Sequence, residues 1–383
     1  MDFLADTKID FMKYRKGWIA FSLLLALAGL TEVLVDRLNM GIDFAGGTQL
    51  TVKLAEKPRI DALRDAFAEA GIADAQIQRF GDEEDNEVLI KTSVVAGDEE
   101  GSRDEIVTIL DRFYDQAEGE GIDLNRRGAD AVENLLVAED PDGIGGTPEA
   151  RRTHYGPIAE AVLDQREIDG LLESWETLES VEGLSAAALD LLRERSELGA
   201  FAVLGAEHVG PQIGAELRAK GILAVVMSLI GMLVYIWMRF ELRFGIGALI
   251  ATMHDVAITL GLFAWFGFEF NLTTIAAFLT LVGYSVNDSV VVFDRVRENL
   301  RRSRVEPLVD VMNQSLNQML SRTVLTSGTT LLAVGSLLFL GGDVLRGFSF
   351  IMTCGILIGT YSSIYIAAPA TEWMDRRFFS KNR

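Results

Sequence analysis

Charged side chains stand at several points in stretches of the chain that are otherwise apolar. Asp288 follows the run NLTTIAAFLTLVGYSVN, Asp255 lies within a second apolar stretch, and Arg322 opens a third. A charge inside a membrane helix costs a few kcal/mol or more, so it usually faces a protein interior, a cavity or a partner. A carboxylate that separates from an arginine and rejoins it can exchange protons near neutral pH. These residues predict a proton path; the alternatives are interhelical hydrogen bonding for the carboxylates and extension to the membrane surface for the arginine.

Polar neighbours accompany the two carboxylates. His254 immediately precedes Asp255, and Asn287 immediately precedes Asp288. Ser285 lies three positions before Asp288, so these two side chains share one face of a helix. We therefore predict that His254, Asn287 and Ser285 are supporting polar groups of the same site.

The elements that must position these residues are apolar segments long enough to cross a bilayer, which takes about 20 residues of helix. The first apolar run continues to Val35, beyond the usual core of a signal peptide, so we predict a retained span over 17–36 and not a cleaved leader. The other predicted spans lie within 221–369, at 221–238, 244–266, 272–293, 323–340 and 348–369. The sequence thus predicts a polytopic α-helical membrane protein with six transmembrane helices.

Basic residues flank alternate ends of these spans. They cluster at 13–16, at Arg239 with Arg243, at 295–304, and at Arg376 with Arg377. All the clusters fall on one side of the membrane if the spans alternate, and the positive-inside rule makes that side cytoplasmic. We therefore expect both termini, 1–16 and 370–383, in the cytoplasm and residues 37–220 outside it.

Composition bounds the class of protein. The 383-residue chain combines a mean hydropathy of +0.23 with a formal net charge of −21, which indicates that apolar and acidic regions are segregated. The single cysteine, Cys354, excludes an internal disulfide and a cysteine-rich metal site. The acidic excess argues against binding of nucleic acid. Neither a phosphate-binding loop nor a nucleophile triad is evident, so we expect no enzymatic activity, no cofactor and no metal site.

Residues 37–220 alternate between strand and helix patterns. The strand patterns TQLTVKL, AQIQRF, EVLIKTSV and AFAVLGAEHV enclose two amphipathic helix patterns, PRIDALRDAFAEAG and SRDEIVTILDRFYDQ. The order strand-helix-strand-strand-helix-strand is that of a ferredoxin-like domain. We therefore predict an extracytoplasmic ferredoxin-like α+β domain that carries a helical insertion at about 119–198.

The predicted insertion is acidic. Its segments GADAVENLLVAEDPDGIGG and YGPIAEAVLDQREIDGLLESWETLESVEGLSAAALDLLRER resemble the tandem helix-hairpin-helix units of some secretion-related and DNA-uptake proteins, with part of the hairpin glycines present as Gly143, Gly145 and Gly183. The many aspartates and glutamates make phosphate binding unfavourable. We expect a protein-contact surface, and an inert solvated decoration is the alternative.

A glycine-rich turn follows the first span. The run NMGIDFAGGTQLTVKL places Gly41, Gly46 and Gly47 around Asp43, directly before a strand pattern. The glycines allow a tight turn, and we expect Asp43 to position that turn and not to carry protons. Together with VGYSVNDSVVVFDRVREN around Asp288, this motif closely resembles the SecF proteins, which are protein-export membrane subunits of the resistance-nodulation-division superfamily.

The resemblance extends to further segments. His254 and Asp255 match the histidine-aspartate pair of the family's third span. SRTVLTSGTTLL matches the segment whose arginine, here Arg322, is implicated with the fourth-span aspartate in proton-driven export. We expect the cytoplasmic DRVREN motif to serve positioning and partner contact, although its arginines could serve the positive-inside rule alone. The motif residues are Asp294, Arg295, Arg297, Glu298 and Asn299.

The resemblance implies a function in protein export. A SecF-type subunit of the bacterial inner membrane works with SecD beside the SecYEG channel and uses the proton or sodium gradient to help move an unfolded preprotein; YajC is a further partner that the resemblance implies. One alternative is half of an ion-coupled exporter of lipids or small molecules, which would need a large apolar pocket in the outer domain. Another is a membrane-anchored assembly scaffold, which would not need Asp255, Asp288 and Arg322 in the bilayer.

Overall fold

The computed structural model describes residues 7–35, 38–82, 84–93, 99–114, 121–239, 241–302 and 306–379. Arg304 and the predicted insertion boundary at 119 lie outside the described residues, as do parts of both predicted tails. The chain forms two compact units, one made of 1–44 with 216–383 and the other of 45–215. We call them the membrane unit and the α/β unit.

The described residues are mostly helical, with strands confined to the α/β unit. In chain order the elements are α1 (Phe11–Val35), α2 (Ile42–Ala45), β1 (Gly47–Leu54), α3 (Ile60–Glu69), β2 (Gln76–Phe80), β3 (Glu87–Thr92), α4 (Glu99–Phe113), β4 (Ile122–Asp123), α5 (Ala129–Glu139), α6 (Pro148–Asp169), α7 (Trp175–Leu178), α8 (Ala186–Arg195), β5 (Ser196–Glu197), β6 (Phe201–Val209), α9 (Pro211–Arg239), α10 (Leu242–Trp265), α11 (Leu272–Arg302), α12 (Leu308–Leu340), α13 (Gly342–Ser362) and α14 (Ala368–Met374), with π-helical turns at Ser363–Ala367 and Asp375–Phe379.

Six helical stretches are long and apolar enough to cross a membrane, which confirms the predicted number of spans. They are α1, α9, α10, α11, α12 and the stretch from α13 through α14. A helix satisfies its own backbone hydrogen bonds, as a segment in lipid must. Two helices continue past their apolar segments: α11 ends at Arg302, and α12 begins at Leu308. Arg322 therefore lies inside a helix and not at its start.

Three helices form the centre of the membrane unit. The apolar windows of α10, α11 and the sixth span are at least half buried, whereas α1, α9 and α12 expose most of their apolar surface. The first span packs closely on α10 at Gly29 and Gly261, where a Cβ atom built on Gly261 would lie 2.2 Å from the Cα atom of Gly29. Only glycine permits this approach of two helix backbones.

The sixth span changes its helical period in the middle. The α-helix ends at Ser362, a π-helical turn covers Ser363–Ala367, and the α-helix resumes at Ala368. A π-helical turn holds one more residue than an α-helical turn, so it rotates the two halves of the span relative to each other. Beyond the turn, Glu372 accepts a hydrogen bond from Nη1 of Arg15 at 3.1 Å.

The sheet of the α/β unit has the spatial order β2-β3-β1-β6, and every neighbouring pair is antiparallel. Side chains on one face of β1 are fully buried, and α3 and α4 contribute to the same core. The core includes Leu50, Val52, Leu63, Phe67 and Ile106. This order of strands and helices is compatible with the ferredoxin-like domain expected from the sequence.

A helical module made of α5 to α8 interrupts this domain between α4 and β6. The short parallel pair β4–β5 joins the two ends of the module. The module has its own apolar core, built around Val132, Leu136, Tyr155 and Leu192.

Buried polar groups fix the base of the helical module, in a set that we call the module hydrogen-bond cluster. Oδ1 of Asp123 accepts hydrogen bonds from the amides of Asn125, at 2.8 Å, and Gly199, at 3.2 Å, while Oδ2 pairs with the guanidinium of Arg126. The Asn125 side chain donates to the carbonyls of Leu172 and Gly199 and accepts from the Leu172 amide. These contacts hold together loops that are distant in sequence.

Asp140 ends α5 in the left-handed conformation, with φ of 48°. Its carboxylate accepts hydrogen bonds from the amides of Gly145, at 2.9 Å, and Ile144, at 3.0 Å, and from the hydroxyl of Tyr155, at 2.9 Å. The Gly145 amide is the largest cause that lowers the pKa of Asp140 below its usual range. The acidic turn of the module is therefore ordered by its own carboxylate.

Candidate functional site

Asp255 lies at the centre of the membrane unit and is fully buried. Its Oδ2 accepts hydrogen bonds from the hydroxyls of Ser285, at 2.6 Å, and Ser362, at 2.8 Å. Its Oδ1 lies 2.9 Å from Nδ1 of His254. Three helical stretches, α10, α11 and α13, thus meet at one carboxylate, and its hydrogen-bonding capacity is well used.

Asp288 lies one helical turn from Ser285 and is 5% exposed. In contrast to Asp255, its Oδ2 is buried and has no hydrogen-bond partner among the described residues. The same is true of the hydroxyls of Ser289 and Tyr284 on the same helix. Because an unpartnered buried polar atom costs about 1–3 kcal/mol, the fold retains here a group that does not stabilise it.

Arg322 is exposed on the surface of the membrane unit, and it forms no ion pair within 4.0 Å with any residue that the structure describes. The charges of Asp255 and Arg322 both act on the Asp288 carboxylate. The structure therefore brings the three predicted residues into one electrostatic neighbourhood without joining Asp288 to Arg322. The arrangement suits a carboxylate that changes its protonation and its partner.

The supporting polar residues divide into two groups. His254 and Ser285 contact Asp255 directly. Asn287 is exposed and points away from both carboxylates, because a step of one residue turns a helix by about 100°. Sequence reasoning missed Tyr361 and Ser362, whose hydroxyls reach His254 and Asp255. Hydroxyls are ordinary in membrane helices, so no pattern distinguished them before the helices were packed.

The turn after the first span anchors the start of α11, the helix that carries Asp288. Oδ2 of Asp43 accepts a hydrogen bond from the amide of Leu272 at 2.9 Å, and this amide belongs to the first residue of α11. A carboxylate in this position satisfies a free helix amide and complements the helix dipole. Gly41 donates its amide to the carbonyl of Phe270 at 2.9 Å, and a Cβ atom there would lie 2.5 Å from Oε1 of Glu269.

Gly46 and Gly47 both have positive φ values, of 74° and 142°. A Cβ atom on Gly46 would lie 3.0 Å from the Cα atom of Pro211, at the start of α9. The two glycines therefore serve a backbone turn that leads into β1, where side chains would be strained.

The DRVREN motif joins α11 to α12. Oε1 of Gln318 accepts hydrogen bonds from Nε of Arg295, at 2.6 Å, and from Nδ2 of Asn299, at 2.9 Å. Asn299 also donates to the hydroxyl of Ser315. Glu298 pairs with Arg295, and both Asp294 and Arg297 lie on the same part of α11. Gln318, one turn before Arg322, is a contact that the sequence did not reveal.

Comparisons with known proteins agree with this architecture. Residues 192–377 match the family of the protein export membrane protein SecD/SecF, C-terminal, and residues 33–57 match the SecD/SecF GG motif. The protein translocase subunit SecF of Koribacter versatilis is 41% identical over 98% of this chain and 95% of its own length. The subunit of the same name from Rickettsia rickettsii is 33% identical over 97% of this chain and 94% of its own length.

A solved structure is also similar along nearly the whole chain. The crystal structure of SecDF from Thermus thermophilus, described as a translocon-associated membrane protein, has a TM-score of 0.69 and 33% identity. The match covers 98% of this chain but 40% of the SecDF chain. From the spans, the glycine motif and these similarities together, we conclude that this multi-pass membrane protein belongs to the SecF family of protein translocase subunits.

Proposed function

We propose that this chain uses the proton or sodium gradient, together with SecD, to promote the export of unfolded proteins through SecYEG. The observation that carries the proposal is the buried Asp288 carboxylate, which has an unpartnered oxygen and lies within electrostatic range of Asp255 and Arg322. A fold keeps such a group at a cost in stability, and intramembrane carboxylates of this kind mark ion paths.

The proposed cycle depends on the charge of Asp288. When ionised, the carboxylate attracts Arg322 and repels Asp255. Binding of a proton removes both interactions, so α11 and α12 can adopt a different relative position. The Arg295–Gln318 and Asn299–Gln318 hydrogen bonds lie between the same two helices and would respond to that movement. A ligand shifts an equilibrium only through its different affinity for two states, and here the ligand is the proton.

The proposed setting is the bacterial inner membrane, with both termini in the cytoplasm. The basic ends of α11 and the sixth span support this orientation through the positive-inside rule. The acidic α/β unit would then face the extracytoplasmic side, where a translocating preprotein emerges. YajC is a further proposed partner of the assembly, and the chain is proposed to have no enzymatic activity of its own.

The exporter of lipids or small molecules is the weaker alternative. A cleft of about 410 Å³ in the α/β unit lies where the helical module meets the sheet domain. Its lining includes Glu56, Arg59 and Glu173. Charged side chains make this cleft a poor match for an apolar cargo.

The proposal is tested by the export of a secreted reporter in cells that carry Asp288→Asn or Arg322→Ala at matched protein levels. Each variant is compared with Asp310→Asn, which neutralises an exposed carboxylate near the start of α12. We expect loss of the gradient-dependent part of export in the first two variants, with association with SecD preserved. Collapsing the gradient should reduce wild-type export to the same level.

Full export by Asp288→Asn with the gradient intact would contradict the proposal. Asp255 and Asp288 would then serve helix packing, and the energy coupling would lie in SecD.

A further inference from the structure

A chain of hydrogen bonds leads from α1 to Asp255 across three helical stretches. The hydroxyl of Ser22 lies 3.1 Å from that of Tyr361, and the Tyr361 hydroxyl lies 3.4 Å from Nε2 of His254. Nδ1 of His254 lies 2.9 Å from Oδ1 of Asp255. On the other side of Asp255, Oδ2 accepts from Ser285 at 2.6 Å. The series of hydrogen bonds is continuous from Ser22 to Ser285, which lies on α11, the helix that carries Asp288.

With Asp255 ionised and the His254 imidazole neutral, the chemistry of the groups gives the direction of these hydrogen bonds. An ionised carboxylate only accepts, so Nδ1 of His254 must donate to Asp255. Nε2 of a neutral imidazole is then an acceptor, and the Tyr361 hydroxyl must donate to it. Consequently Ser22 donates to Tyr361. Every hydrogen in the chain points toward Asp255, which is the arrangement that a proton relay requires.

The burial of the side chains orders the groups from the inside of the helix bundle to its edge. Asp255 is fully buried and Ser22 is 1% exposed, whereas Tyr361 is partly exposed. The Tyr361 ring lies 5.6 Å from the ring of Trp18, which is itself exposed. Tyr361 is therefore the outermost hydroxyl of the chain, and Ser22 holds it in position from the side.

We propose that Tyr361 and His254 relay protons to Asp255. The Tyr361 hydroxyl gives its proton to Nε2 of His254 and takes one from a water molecule that carries the proton to it. His254 gives its Nδ1 proton to Oδ1 of Asp255, so the imidazole gains one proton at Nε2 and loses one at Nδ1, and the carboxylate becomes a carboxylic acid. A second turnover requires the ring to return to the tautomer that carries its proton on Nδ1. This inference rests on the proposed function, because it names the route by which the ion-coupling site is supplied.

The position of Ser362 distinguishes relay from scaffolding within the same cluster. Ser362 donates to Oδ2 of Asp255 and to the Gly359 carbonyl, but its hydroxyl forms no hydrogen bond with His254 or Tyr361 among the described residues. It therefore supports the carboxylate without belonging to the route. Tyr365, one turn after Tyr361, also stacks on Trp18, at 4.9 Å, and its hydroxyl takes no part in the chain.

The relay is tested with the full chain and its SecD partner in proteoliposomes that enclose a pH-sensitive dye, under an imposed proton gradient. Tyr361→Phe removes one hydroxyl and keeps the ring. We expect proton uptake to slow roughly tenfold, as for a barrier raised by one lost hydrogen bond. The ratio of the rates in H₂O and D₂O should also increase. Tyr365→Phe, the matched control, should leave both values unchanged.

A pair of histidine variants separates relay from positioning. The side-chain amide of His254→Asn can still donate to Asp255, but it cannot accept one proton and release another. We expect His254→Asn to slow uptake at least as much as Tyr361→Phe while the complex assembles normally. Uptake at the wild-type rate in His254→Asn would overturn the relay and leave a positioning role for the ring.

The remaining outcomes separate the relay from the proposed function. If Tyr361→Phe conducts like wild type while Asp288→Asn does not, the relay is wrong and the ion-coupling site stands. If the wild-type complex takes up no protons under the gradient, the relay is overturned together with proton coupling at Asp288.

Discussion

The membrane unit and the helical module each bury carboxylates among apolar side chains, but they treat them differently. In the module hydrogen-bond cluster, both oxygens of Asp123 have fixed partners. In the membrane unit, Asp255 is similarly saturated, whereas Asp288 keeps an oxygen without a partner. Both regions lack the solvent that would otherwise satisfy a charge.

This contrast distinguishes carboxylates with a full set of hydrogen-bond donors from those with an oxygen that has no partner. A carboxylate with a full set of donors is held in one position, so it stabilises the fold. A carboxylate with an oxygen that has no hydrogen-bond partner can bind a proton or change its partner without breaking other hydrogen bonds. Asp288 is of the second kind, and its neighbour Asp255 combines a structural set of contacts with a connection to His254.

Removal of the structural carboxylate of the module should produce the largest loss of stability. Asp123→Ala leaves the Asn125 and Gly199 amides without their acceptor and leaves the Arg126 guanidinium with Asp111 as its remaining carboxylate partner. We therefore expect the module to lose about 3 kcal/mol. Hydrogen exchange of the peptides that cover residues 121–199, measured in the full chain, gives this value. The control is Asp164→Ala, which removes an exposed carboxylate from α6 and should change little. Equal protection from hydrogen exchange in Asp123→Ala and Asp164→Ala would show that Asp123 does not stabilise the module.

The two membrane carboxylates should differ when each is replaced by asparagine. Asp255→Asn replaces one carboxylate oxygen by an amide nitrogen that cannot accept, so either the two hydroxyls or the histidine ring lose their acceptor, and we expect a loss of about 2 kcal/mol in stability. Asp288→Asn removes an unpartnered charge, so we expect no loss beyond about 0.5 kcal/mol, or a gain. Thermal unfolding of the purified chain measures both values side by side. A loss for Asp288→Asn as large as that for Asp255→Asn would mean that Asp288 is also structural.

The smallest expected effect is a pH dependence in the helical module. The pKa of Asp140 is lowered in the folded state. The ionised carboxylate therefore stabilises the fold at any pH above its unfolded-state pKa of about 3.9. This stabilisation is lost as the pH falls through the folded-state pKa. Protection of the residues around 140–147 should therefore decrease below about pH 4. Asp140→Asn should remove this part of the acid response, whereas Asp164→Asn should retain it. An identical acid response in wild type and Asp140→Asn would show that other carboxylates dominate.

The sequence revealed the buried carboxylates of the candidate site better than the side chains that contact them. Charges in apolar segments are rare enough that Asp255, Asp288 and Arg322 could be identified from their types alone. Tyr361, Ser362 and Gln318 could not, because their meaning depends on which helix faces they meet. The unpartnered oxygen of Asp288 is likewise a property of packing and not of residue type.

The same reasoning explains the differences in helix boundaries. Hydropathy locates the part of a helix that lies in lipid, so the predicted fourth span ended at 293. The helix itself continues to Arg302 because the DRVREN side chains bond with Gln318 and Ser315 of α12. The strand and helix order of the α/β unit was visible in the residue patterns, whereas the Asn125 contacts that close its helical module were not.

The number of residues in the π-helical turn at Ser363–Ala367 determines which contacts the sixth span can make at this site. On one side of the turn, Tyr361 and Ser362 meet His254 and Asp255, and on the other Glu372 meets Arg15. Deletion of one residue from the turn would restore a regular α-helix and rotate one half by about 100° relative to the other. Only one of the two sets of contacts could then form. A deletion of a single codon in this turn would therefore separate the contacts of Tyr361 and Ser362 from that of Glu372, although the gene still encoded all three side chains.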